Sequence, residues 1–197
     1  TIKATYGLID QGQTAIIEMA TASGLELLSV EERNPLITST YGTGELIKNA
    51  LDKGCTKIII GLGGSATNDG GMGMIKALGG LFLDQHQKEI GEGGGALDTL
   101  YSIDLSGLDK RLQQVALVCA CDVDNPLTGT TGASYVYAKQ KGASDNMLAV
   151  LDSNLSNYAA VIKASLNKDL EHIPGTGAAG GTAMGLLAFL DATLAPG

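Results

Sequence analysis

The stretch IIIGLGGSATNDGG, residues 58–71, decides the fold, because an apolar run in it breaks into glycines and small hydroxyl residues. Three consecutive isoleucines, Ile58 to Ile60, are typical of a central parallel strand with both faces covered. We predict this strand over residues 57–62, followed by a turn and by a helix over about residues 69–78. The order of strand, turn and helix indicates an α/β domain.

The glycine-rich turn is suited to bind an anion. Gly63 and Gly64 leave backbone N–H groups accessible because no Cβ covers them. The hydroxyl groups of nearby residues add donors, and a helix N-terminus carries about half a positive charge. The predicted substrate- or phosphate-binding residues are Gly63, Gly64, Ser65, Ala66, Thr67 and Asn68. The alternative is a tight strand-to-helix connection, with Asn68 or Asp69 as a plain helix cap. The spacing of the glycines fits neither a P-loop nor a dinucleotide-binding fingerprint.

A second buried strand, predicted over residues 115–121, runs into the sequence CDVDNPL at residues 121–127. Ligands of open α/β sheets bind at the carboxyl ends of the strands, so we expect Asp122 to share a crevice with the glycine-rich turn. Asp122 and Asp124 are candidate ligands of a hydrated Mg²⁺. Asp124 and Asn125 are also candidate substrate- or phosphate-binding residues. The alternative is an Asx-turn closed by Asn125 and Pro126. The candidate catalytic residues are Asp69 and Asp122, because a carboxylate can accept the proton of a substrate hydroxyl group or hold a metal ion.

A third glycine-rich turn, PGTGAAGGT at residues 174–182, precedes a helix predicted over residues 179–190. Gly177, Gly180 and Gly181 are candidates for a second anion-binding turn. Close packing of the helix against the sheet is the alternative, and it explains the small residues somewhat better.

The remaining pattern places these turns in one α/β domain over residues 1–197. Alternating apolar residues predict a leading β-hairpin over residues 2–20, and helical spacing predicts a long helix after Ser144. Further elements are predicted at residues 43–53 (helix) and 81–83 (strand), and no strand is predicted after the last helix. The expected architecture is a partly parallel sheet with helices on both faces.

The composition excludes several classes of protein. A net charge of −8 without a basic cluster argues against nucleic-acid binding, and there is no Trp for base stacking. The longest uncharged stretch contains too many glycines for a membrane span. Cys55, Cys119 and Cys121 form neither a disulfide framework nor a zinc motif, which favours the reducing cytoplasm.

Four motifs in this order resemble the bacterial glycerate kinase family of the glucarate-pathway type. They lie at residues 61–71, 121–127, 140–143 (QKGA) and 175–181. The resemblance implies a transferase that moves the γ-phosphoryl group of ATP to a hydroxyl group of D-glycerate, with Mg²⁺. It also implies a two-domain α/β enzyme whose active site lies between the domains.

Members of that family are about twice as long, and the motifs of their other domain are missing from this sequence. The resemblance therefore implies the inserted domain of a longer kinase. A start at Thr1 without Met fits an excised middle piece, or trimmed termini. The expected partners are D-glycerate, ATP and the other domain. Since none of the three turns contains Lys or Arg, we expect half a site that is inactive alone. The alternative is a stand-alone anion-binding or interaction module without catalysis.

Overall fold

The computed structural model describes residues 2–197. Its strands and α-helices alternate along much of the chain, joined by short 3₁₀ turns and loops. In chain order they are β1 (Gly7–Ile9), β2 (Thr14–Glu18), α1 (Ala20–Ser23), α2 (Tyr41–Asp52), β3 (Lys57–Gly61), α3 (Met72–Ala77), β4 (Leu81–Leu83), β5 (Ser102–Asp104), β6 (Ala116–Ala120), α4 (Ala133–Tyr137), α5 (Asp145–Leu166), α6 (Ala178–Leu190) and β7 (Thr193–Ala195).

The main sheet has the strand order β1-β2-β3-β6-β7. Strand β1 pairs antiparallel with β2, and the other neighbours pair parallel. Strands β4 and β5 form a separate antiparallel pair. The α/β class, the partly parallel sheet and the leading hairpin are thus confirmed, although β1 begins at Gly7 and not at residue 2.

The strand β7 corrects the expectation that no strand follows the last helix. Val118 to Ala120 of β6 pair with Thr193 to Ala195. Three residues are too few to show a period of two, so only the ladder with a strand more than seventy residues earlier identifies β7. Strand β5 was also not predicted, since its sequence Ser-Ile-Asp has one apolar residue and only its ladder with β4 identifies it.

Burial of the main sheet is one-sided. Ile58 and Ile60 are buried in the core, whereas Ile59 between them is half-buried. Ile16 and Val118, its neighbours across the sheet, are also half-buried. This face of the sheet is therefore less covered within residues 2–197 than the face that carries Ile58 and Ile60.

One hydrophobic cluster joins the buried face of the sheet to α2, α3, α5 and α6. Three residues of the predicted stripe of the long helix, Leu155, Tyr158 and Ile162 of α5, are completely buried in this core, and Leu151 is buried in a second, small cluster with Ala138 and Leu148. Across residues 2–197, none of the helices has the length and apolar character that crossing a membrane requires.

Candidate functional site

A cavity of about 360 Å³ lies where β3 and β6 end. Because the two strands are parallel neighbours, with Gly61 opposite Ala120, the chain leaves the sheet at the same edge after each of them. Gly63, Gly64 and Ser65 line the cavity from one side, and residues 120–123 line it from the other. The remaining lining residues are Leu25, Leu62, Tyr137, Gln140, Lys141, Ala178 and Ala179. Asp122 and the glycine-rich turn therefore share one cavity, as the parallel-strand argument predicts.

The glycine loop, residues 63–68, presents open backbone to this cavity. A Cβ on Gly63 would meet no atom within 4 Å, and Gly64 has a φ of +71°, which favours glycine. The Ala66 N–H donates to the Ser23 carbonyl oxygen at 2.9 Å. Among residues 64–67, within the described chain, it is the one backbone N–H with an acceptor in the protein. The N–H groups of Gly64 and Ser65, which line the cavity, are therefore available to a ligand, whereas Thr67 is buried away from it.

Asp69 is completely buried and does not line the cavity. Its Oδ2 accepts hydrogen bonds from the N–H and the hydroxyl group of Thr40, both at 2.8 Å, and from the Gly73 N–H at 3.2 Å. Its Oδ1 accepts from the Gly71 N–H at 3.1 Å. Burial raises the pKa of Asp69 above its usual value, and these hydrogen bonds oppose that shift without cancelling it. Since both oxygens are occupied, the geometry favours the alternative of a helix cap over the predicted catalytic role.

Of the three polar residues that follow β6, Asp122 is the one that lines the cavity. Its Oδ1 accepts the Gly197 N–H at 2.8 Å. Asp124 lines a smaller neighbouring cavity of about 220 Å³. The side chain of Asn125 is occupied, because it donates to the Thr131 carbonyl oxygen and accepts from the Tyr137 hydroxyl group at 2.6 Å. Within residues 2–197, no three His, Cys, Asp or Glu side chains cluster as a metal site.

The third glycine-rich turn packs closely against the other two. A Cβ on Gly177 would collide with the Pro126 carbonyl oxygen, and one on Gly180 with the Thr67 carbonyl oxygen. A Cβ on Gly181 would come within 2.7 Å of the Leu127 side chain. The Gly180 carbonyl oxygen accepts the Gly70 N–H at 3.0 Å. Close packing therefore accounts for these glycines, while Ala178 and Ala179 beside them line the cavity.

Lys141 is a site residue that the sequence reasoning did not identify. Its side chain is 2% exposed, and its Nζ donates to Ser65 Oγ at 2.8 Å and to the Thr67 carbonyl oxygen at 2.7 Å. Burial lowers the pKa of Lys141 to about 7, and the charge of Asp69 partly opposes that shift. None of the three turns contains Lys or Arg, but Lys141 reaches the first turn from a separate segment. The available signal was the motif at residues 140–143, which contains this lysine.

Comparison with known proteins gives one consistent result. The sequence profile described as the Glycerate kinase family matches residues 1–197. The chain is 56% identical to Glycerate 2-kinase of Escherichia coli (strain K12) and 57% identical to Glycerate kinase of Bacillus subtilis (strain 168), each over 196 residues. Both alignments cover 100% of this chain and 51% of the relative, so the chain spans about half the length of these relatives. A crystal structure described as glycerate kinase 2 from Salmonella typhimurium LT2 superposes with a TM-score of 0.96 at 52% identity, covering 98% of this chain and 52% of that one.

Proposed function

This chain belongs to the glycerate kinase family, and on that premise we propose that it forms part of an enzyme that phosphorylates D-glycerate. The reaction would transfer the γ-phosphoryl group of ATP to a hydroxyl group of D-glycerate and release ADP. The names of the relatives support glycerate as the acceptor. ATP as the phosphoryl donor is part of the proposal.

The observation that carries the proposal is the shared cavity, in which a cation and free N–H groups lie opposite a carboxylate. Lys141 and the N–H groups of residues 64 and 65 suit a carboxylate or phosphate group. Asp122 lies across the cavity, where a carboxylate can accept the proton of the attacking hydroxyl group. Asp69 would act indirectly by holding the glycine loop against α2 and α3.

Asp122 is also the residue that best fits the expected Mg²⁺. Its Oδ2 accepts no hydrogen bond from residues 2–197. Mg²⁺ in kinases is usually held by one or two carboxylates together with substrate phosphates and water, so one carboxylate fits part of such a set. Asp124, the second predicted ligand, lines the neighbouring cavity. When bound with a nucleotide, Mg²⁺ neutralises charge on the transferred phosphoryl group.

The test is an assay of the protein at the full length that its gene encodes. The protein is incubated with ATP, Mg²⁺ and D-glycerate, ADP release is followed, and the product is examined by ³¹P nuclear magnetic resonance. We expect ADP release that depends on D-glycerate and a new phosphomonoester signal. A protein that binds sulfate or glycerate yet releases no ADP would instead be the anion-binding module without catalysis.

A further inference from the structure

Lys141 carries a buried amino group that contacts no carboxylate. The salt bridges formed among residues 2–197 do not include it. Lysine is almost never fully buried unless it is paired, because a charged group loses its hydration there. The charge of Asp69 favours the ammonium form through space, but the oxygens of Asp69 bind Thr40, Gly71 and Gly73. Among residues 2–197, therefore, no carboxylate forms a direct ion pair with Lys141.

The position of Lys141 shows where a counter-ion would bind. An ammonium group has three N–H donors, and the protein accepts two of them, at Ser65 Oγ and at the Thr67 carbonyl oxygen. Lys141 also lines the main cavity beside Gly63 and Gly64. An anion seated on the glycine loop would be next to the third donor.

We propose that Lys141 is the counter-charge of the anionic group that the glycine loop binds, and that it takes up a proton as this anion binds. The inference rests on the proposed function for the identity of the anion, which is the carboxylate of D-glycerate or a phosphate group of a substrate. These two groups share the chemistry of a compact oxyanion.

The direction of the proton transfer follows from burial. With a pKa of about 7 in the free protein, Lys141 is mostly neutral at pH 8. A bound anion favours the charged form and raises the pKa of Lys141, so binding at pH 8 draws a proton from the buffer. Affinity for the anion must then fall as the pH rises above 7. The other titratable or charged groups around Lys141 are Asp69, Asp122, Cys121, Tyr137 and Arg33.

Isothermal titration calorimetry on the full-length protein tests the proposal. Sulfate and D-glycerate are titrated at pH 8 in two buffers of different ionisation enthalpy, since neither anion changes its own protonation at that pH. We expect uptake of about 0.9 proton per bound anion and an affinity about tenfold weaker at pH 9 than at pH 8. Uptake with both anions marks a general oxyanion site, and uptake with one of them identifies the preferred group.

Three variants assign the proton to Lys141. Lys141→Met should abolish proton uptake and weaken sulfate binding at pH 6.5 at least tenfold. Lys139→Met is the matched control, because Lys139 is exposed and pairs with Asp145 at 2.6 Å; its uptake and affinity should equal those of the wild type. Cys121→Ser removes the thiol group that also lines the cavity. We expect its proton uptake to equal that of the wild type, which would exclude this thiol as the group that takes up the proton.

The proposal is overturned if the wild type binds sulfate and D-glycerate and neither anion causes proton uptake, a result that requires no variant to fold. It is also overturned if Lys141→Met keeps the uptake. Failure of the kinase assay with normal proton uptake would remove the proposed function and leave the role of Lys141 intact. Glycerate phosphorylation without any proton uptake would support the proposed function and remove the proposed role of Lys141.

Discussion

Gly63 is the residue at which a single methyl group can test the glycine loop. Its Cβ would enter open space in the cavity, so Gly63→Ala should fold normally and obstruct the approach to the loop. We expect sulfate affinity to drop about tenfold or more, with the free energy of unfolding unchanged within about 0.5 kcal/mol. Sulfate titration and urea unfolding provide the two measurements. Gly91→Ala, whose Cβ would make an ordinary contact with Ala96, is the control. Unchanged sulfate affinity in Gly63→Ala would exclude the loop as the binding site.

Asp69 distinguishes a structural role from a catalytic one. Asp69→Asn keeps the size of the side chain but turns an NH₂ group toward backbone donors. Because Asp69 is buried and accepts four hydrogen bonds, we expect the free energy of unfolding to fall by about 2–4 kcal/mol. Urea unfolding measures this change, and Asp98→Asn on the surface controls for the lost charge. Normal stability combined with a large loss of turnover would instead support the catalytic role predicted from the sequence.

Asp122 should matter for turnover more than for binding. If it accepts the proton of the glycerate hydroxyl group, Asp122→Asn should lower kcat about 10²-fold or more, with a smaller change in the KM for D-glycerate. Steady-state kinetics of the full-length enzyme give both values. Asp124→Asn carries the same change of charge at the neighbouring cavity and should be milder. Equal effects of the two substitutions would argue against a specific role for Asp122.

The residues differ in how far their sequence context reveals their position. Asp122 and Gly63 each follow an apolar strand directly, so the rule for parallel sheets places them at one edge. Lys141 belongs to no such pattern, because it reaches the cavity only through contacts with residues more than seventy positions earlier. Asp69 has the expected position at a helix start, yet only the hydrogen bonds to Thr40 reveal that its oxygens are occupied.

At the level of elements, helices α2 and α3 hold the glycine loop through Asp69, which accepts hydrogen bonds from Thr40, just before α2, and from Gly73 in α3. Gly44 in the buried face of α2 lies against the Met74 carbonyl oxygen and Ala77 of α3, where a Cβ would overlap both. Gly44→Ala would favour the helix by about 1 kcal/mol if propensity alone decided the outcome. Because the helices must separate, we expect a net loss of about 1–3 kcal/mol instead. Urea unfolding measures the sign, with Lys48→Ala on the exposed face as control. A more stable Gly44→Ala protein would contradict the close contact.

The elements that could be predicted are those whose own sequence carries a signal, which is a helical stripe, an apolar run or, for β4, the apolar triplet at residues 81–83. The α5 stripe repeats over 22 residues, and β3 and β6 each show an apolar run of a buried strand. The strands β5 and β7 have three residues each and depend on partners distant in sequence. Strand order is likewise invisible in local patterns, because it is set by pairings between strands that are distant in sequence.

For the whole molecule, the hydrophobic core and the composition of the cavity have different consequences, one for folding and one for catalysis. One hydrophobic cluster spans the elements from β2 to α6, which is what an independently folding domain requires. The cavity, however, contains Lys141 as its single cationic lining residue among the described residues. Phosphoryl transfer spreads negative charge over several oxygens and relies on metal ions and more than one cation. We therefore expect this chain to have the core that folding requires but to lack cations that phosphoryl transfer requires.

We predict that residues 1–197, produced alone, fold and bind sulfate but do not catalyse the transfer. Urea unfolding should be cooperative, because one hydrophobic cluster joins the sheet to α2, α3, α5 and α6. Glycerate-dependent ADP release should be at least about 10³-fold slower than that of full-length Escherichia coli Glycerate 2-kinase, of which this chain covers 51%. Sulfate binding by the isolated chain controls for an intact cavity. A rate comparable to that of the full-length relative would show that these residues alone supply the whole catalytic site, and a gradual unfolding transition would show that the core needs the rest of the enzyme.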